Sequence, residues 1–117
     1  MTAKKTDRAQ AAPALPQIAA ANFPALRQFL RGYLHEDWKE EYDSPAEAAR
    51  QFCDEASPEE RQHVAREWLD FCQQTKNLSL PAISGLLSGK LGAAWNAQSA
   101  ADLQAISAVF REFANKI

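Results

Sequence analysis

The sequence predicts an all-α protein, a single five-helix bundle-like domain with a disordered N-terminal tail. Three observations carry that expectation. Apolar residues recur at the i, i+3, i+4, i+7 spacing of a helix face in five successive segments. Near-identical helix-start signals stand at Ser44-Pro45-Ala46-Glu47 and Ser57-Pro58-Glu59-Glu60. No alternating strand pattern interrupts them. At 117 residues, 46% apolar and 24% charged, the chain has material for one core and no second.

Residues 1–21 carry Lys4, Lys5 and Arg8 and then an alanine-rich run broken by Pro13 and Pro16, with no apolar period. They read as a flexible tail, and the interruptions argue against a secretory signal. The helical domain is expected over 22–117. Its first helix follows Asn22 and aligns Leu26, Phe29, Leu30, Tyr33 and Leu34. Trp38, four residues on, extends that face, which predicts that Gly32 lies inside the helix without ending it. The second and third helices start at the two serine caps, where hydroxyl and glutamate can each satisfy a free backbone N–H. Ala49, Phe52, Cys53 and Ala56 form the apolar side of the second; Val64, Ala65, Trp68, Leu69 and Cys72 form that of the third, with Phe71 on its flank. Leu80-Pro81 opens a fourth helix through Ile83, Leu86 and Leu87, with Gly89 expected as its left-handed cap. Residues 90–98 read as a loop. Ser99-Ala100-Ala101-Asp102 then caps a last helix striped by Leu103, Ile106, Val109, Phe110 and Phe113.

Charge is localised. Between Gly32 and Glu60 stand ten of the fifteen carboxylates against two bases, Lys39 and Arg50, a local balance of −8 in a chain of −2. Such a field attracts a basic partner and repels nucleic acid, so direct nucleic-acid binding is not expected. Nor is a membrane span, because no segment approaches the run of about 20 apolar residues it needs. His35-Glu36-Asp37-Trp38-Lys39 starts like a zinc-protease motif but has lysine where the second histidine belongs. No other cluster completes a metal site, and Gly85, Gly89 and Gly92 follow no strand that would make them a phosphate loop. The reading is a non-catalytic protein with no cofactor or metal. Cys53 and Cys72 sit at apolar helical positions and read as free core thiols, with a disulfide between them left open.

Three strings carry a resemblance to a known family: Gly32-Tyr33-Leu34-His35-Glu36-Asp37-Trp38, Glu41-Tyr42-Asp43-Ser44-Pro45-Ala46-Glu47-Ala48, and Ala56-Ser57-Pro58-Glu59-Glu60. In order and spacing they resemble small α-helical immunity proteins of contact-dependent growth inhibition systems. The likeness is strongest from Phe23 to Glu60. After the fourth helix the chain has Leu91-Gly92-Ala93-Ala94-Trp95 in place of the family's aromatic-rich segment. The resemblance implies a cytoplasmic protein that binds and neutralises the C-terminal toxin domain of a large secreted effector, commonly a nuclease. An RNase or DNase must present a basic cleft, which a carboxylate-rich face can occupy. The residues expected to make that contact are Glu36, Asp37, Glu40, Glu41, Tyr42 and Asp43, with Asp54 and Glu55 from the next helix.

Blander readings stand beside these. Charged helix faces are commonly just solvated. Trp38 is expected to be buried, and His35 to be a hydrogen-bonding residue at a helix end. A helical adaptor unrelated to toxins is the alternative function. A small enzyme with a spatially assembled site is a further one, and it calls for a pocket holding His63 or His35 with a carboxylate and a cysteine.

Overall fold

Proline in the first turn opens four of the six α-helices among the described residues, where its missing N–H deprives the helix of no hydrogen bond. The computed structural model describes residues 19–114, which are helical with no strand among them. After a 3₁₀ turn at Ala20–Asn22 come α1 (Pro24–Tyr33), α2 (Trp38–Glu41), α3 (Pro45–Glu55), α4 (Pro58–Gln74), α5 (Leu80–Gly89) and α6 (Ala100–Ala114). The tail expected over residues 1–21 lies, up to residue 18, outside the described residues.

The short helix α2, one more than the five expected, corrects the expectation of a continuous first helix. The α1 ladder stops at Tyr33, and Leu34 closes it by donating to the Leu30 carbonyl at 2.9 Å. The chain then turns: the Asp37 N–H donates to His35 Nδ1 at 3.1 Å, and the Trp38 N–H to the His35 carbonyl at 3.0 Å. His35 is therefore the hydrogen-bonding residue at a helix end that its position suggests. Trp38 is buried as expected, but from the short helix α2.

Ser57 and Glu60 form a complete capping box, with bonds of 3.1 Å in both directions. Ser44 does half of this, accepting from the Glu47 N–H. Ser79 caps α5 by accepting from Ala82 at 3.3 Å. At α6 the expected roles change: the Asp102 carboxylate accepts from the Gln98 N–H at 2.9 Å. Gly89 is also not the left-handed residue. It stays within α5, and the positive φ, +81°, belongs to Gly92.

Helix α6 packs against α3 and α4, and α1 packs against α4. Their shared core is rich in rings. Phe110 lies against Phe29 at 5.7 Å between centroids, Trp68 at 6.4 Å and Phe52 at 6.5 Å. The chain of contacts runs on through Trp68 to Phe71 and Phe23 on one side, and through Phe29 to Tyr33 and Tyr42 on the other. Phe71, expected on a flank, is fully buried, while Leu69 and Cys72 are half-exposed. Such edge-on and offset ring pairs add about 0.5–1.5 kcal/mol each beyond the area they bury.

Polar contacts also tie the helices together. Trp68 Nε1 donates to Ser107 Oγ at 2.9 Å inside the core. Glu67 on α4 accepts from the Leu26 N–H at 2.9 Å and so caps α1, whose own cap position, Phe23, offers no side-chain acceptor. The Arg61 guanidinium donates to the Cys53 carbonyl at 3.0 Å, satisfying an orphan carbonyl in the last turn of α3.

The loop over 90–98 has an order that its sequence does not announce. Leu91, Ala93, Trp95 and Ala97 are buried, and the residues between them are exposed. Ala94 donates to the Leu34 carbonyl at 2.8 Å, and Ala97 donates to Ser84 Oγ at 3.0 Å. This extended segment fixes the end of α1 from outside. Cys53 is buried, Cys72 half-buried, and both are free thiols.

Candidate functional site

Glu47, Gln51 and Glu55 recur every fourth residue on α3, which aligns them along one outward stripe. Across from them, the end of α2 brings Glu41, Tyr42 and Asp43. The six residues line a concavity of about 350 Å³ with no lysine or arginine in its wall. Of the residues expected from sequence, Glu41, Tyr42, Asp43 and Glu55 meet here. Glu36, Asp37, Glu40 and Asp54 are exposed but line neither this concavity nor the next.

A second concavity of about 440 Å³ adjoins the first, and Glu55 lines both. It lies between α1 and the α3–α4 junction. Phe29, Phe52 and Val64 are apolar walls, and Glu59, Glu60 and His63 stand on the α4 side. Glu47, Glu59 and Glu60 are not in the expected set; capping accounts for Glu47 and Glu60 in the sequence, and nothing there singles out Glu59. The four-residue stripe through Glu47 and Glu55 was the available signal.

Tyr33 organises the boundary between the two concavities. Its ring stacks on Phe29 at 5.7 Å and meets Phe52 edge-on at 5.5 Å, while its hydroxyl donates to Glu55. Gln51 donates to the same carboxylate at 2.7 Å. The tyrosine's hydrogen bond and then the glutamine's hold the Glu55 carboxyl below the usual carboxylate range. Burial, followed by the bond to Glu55, pushes the Tyr33 phenol above its ordinary value. Tyr42 is raised as well, first by burial and then by Glu41 and Glu55. At Glu41 a second pair forms, with His35 Nε2 3.3 Å away. Two of the acids at this surface are thus held in position by neighbours, Glu55 by Tyr33 and Gln51 and Glu41 by His35.

The chemistry of the remaining groups is quieter. Burial pushes the Cys53 thiol up to about 11 and raises Cys72 as well. His63 shares the larger concavity with Glu55, Glu59 and Glu60, but neither cysteine lines it. The histidine, carboxylate and cysteine that an enzymatic site calls for do not meet in either concavity. Among the described residues no group of three or more His, Cys, Asp or Glu is arranged to hold a metal ion, and no helix is long and apolar enough to cross a membrane.

Comparison with known proteins adds one match. The family described as CdiI immunity protein matches residues 22–82, from the 3₁₀ turn into α5, so both concavities lie inside the matched region. No curated protein and no solved structure matches the chain.

Proposed function

Because the chain belongs to the CdiI immunity protein family, we propose that it neutralises its cognate toxin domain by covering a basic nuclease cleft with the acidic face that runs from α2 to the start of α4. The observation that carries this reading is the concavity in which Glu41, Asp43, Glu47 and Glu55 converge with no basic residue in the wall. Four carboxylates at one surface imitate the charge density of a phosphate backbone, and a cleft built to bind phosphates is drawn to them. Tyr42, half-exposed among these acids, supplies the kind of amphipathic ring that anchors interfaces. Glu36, Asp37, Glu40 and Asp54 extend the same field outside the concavity, where they steer encounter more than they fix the complex. The protein acts stoichiometrically, in the cytoplasm, and needs no cofactor for this task.

The test pairs this chain with its cognate toxin domain, sought in the reading frame upstream. Nuclease activity is measured with and without the protein, and affinity is measured for the wild type and for the triple variant E41Q/D43N/E47Q. Inhibition by the wild type, with affinity at least about tenfold weaker in the variant and a shallower salt dependence, supports the reading. Equal protection by both proteins rejects the acidic-face mechanism.

A further inference from the structure

The larger concavity differs from its neighbour in having an apolar lining beneath charged edges. Phe29, Phe52 and Val64, all buried residues that still reach its wall, provide the lining together with Ala25 and Ala56. Glu55, Glu59 and Glu60 provide the negative edge, and no lysine or arginine takes part. Two of those acids are engaged within the protein: Glu55 accepts from Tyr33 and Gln51, and Glu60 accepts from the Ser57 N–H. Among the described residues, Glu59, exposed in the first turn of α4, is not one of the hydrogen-bonded or ion-paired carboxylates. An apolar slot closed by an acid suits one kind of occupant, a long side chain whose stem is hydrocarbon and whose end is cationic.

Resting on the toxin-neutralising reading above, we infer that this groove seats a single arginine of the toxin domain. The arginine's methylenes lie against Phe52 and Val64, and its guanidinium bonds to Glu59 with Glu55 and Glu60 adding to the field. Arginine fits better than lysine because its flat, weakly hydrated head tolerates the ring-lined wall and can engage a carboxylate with two parallel bonds. A volume of about 440 Å³ is ample for one such side chain and too small for a folded element.

Two substitutions separate the parts of this proposal. E59Q removes the charge and keeps the shape; Q28W places a large ring from α1 over the groove and leaves every acid intact. Each is assayed against the cognate toxin domain, with circular dichroism and thermal melting to verify the fold. Both variants are expected to weaken binding about tenfold or more, mainly through faster dissociation. The matched control, D70N, lies outside the groove and outside the acidic face, and is expected to change affinity by less than about threefold. Loss in Q28W without loss in E59Q makes the occupant apolar and overturns the proposal. Loss in E59Q alone means that the acid acts at an open surface, and no change in either means that the groove is empty in the complex; both also overturn it. If the wild type itself fails to bind the toxin domain, the broader reading falls instead.

Discussion

Tyr33 and Glu55, twenty-two residues apart, are joined by a hydrogen bond in which the phenol donates to the carboxylate. Tyr33 is half-buried against Phe29 and Phe52, while Glu55 is exposed, so the pair anchors a surface charge to the aromatic core.

The two groups respond oppositely to pH. Glu55 has a lowered folded value, so its stabilising contribution is present above the ordinary carboxylate value and fades as pH falls through the folded one. Tyr33 and Tyr42 have raised folded values, so theirs is present below the ordinary phenol value, about 10, and fades as pH rises through the folded ones. They are the chain's two tyrosines, so phenolate absorbance should rise at higher pH in the folded protein than in the denatured one. A folded-state titration with its midpoint at the ordinary value contradicts the observed bond.

Ser107→Ala leaves the Trp68 N–H buried without its acceptor. Urea unfolding should show a loss of about 1–3 kcal/mol with an unchanged slope. A loss near zero means that the indole has another partner.

Glu67→Ala uncovers the Leu26 N–H at the start of α1 and should cost about 0.5–2 kcal/mol, as the loss of a helix cap does. Glu67→Gln, which still offers an oxygen, should recover most of this in the same melt. Equal losses in the two variants identify charge, not capping, as the contribution of Glu67.

Gly92→Ala meets two obstacles: a φ of +81°, and the Arg31 stem, whose Cγ lies 3.0 Å from where the new Cβ stands. The backbone part costs about 1–2 kcal/mol. In an Arg31→Ala background the steric part disappears and the backbone part remains, so thermal melts of the four proteins should show a smaller but non-zero penalty. Identical penalties in both backgrounds rule out a steric role for Arg31.

What was legible in the sequence was local chemistry. Ser44 and Ser57 mark helix starts because hydroxyl, proline and glutamate act within one turn, and the structure places α3 and α4 where they say. Trp38 misled for a physical reason. Its four-residue spacing from Leu34 satisfies a helix stripe, but a turn at His35 also brings it inward, and burial alone does not distinguish the two. Glu67 and Ser107 were illegible in kind, since their partners lie 41 and 39 residues away. The segment from Leu91 to Ala97 alternates inside and outside largely through alanine, glycine and asparagine, too little hydrophobic contrast to reveal a pattern. For the candidate site, sequence identified the acidic stretch, while only the concavity shared by the end of α2 and one stripe of α3 sorted Glu41, Asp43 and Glu55 from Glu36, Asp37 and Glu40.

Only Ala56 and Ser57 separate α3 from α4, and Arg61 reaches back across that joint to grip the Cys53 carbonyl. Glu55 and Glu59 are therefore mounted on either side of a locked hinge, and their separation is set when the chain folds. On the reading proposed above, a toxin meets them as one fixed pair. Mutations that retune recognition can exchange the charges one by one, while a change at the joint displaces them together.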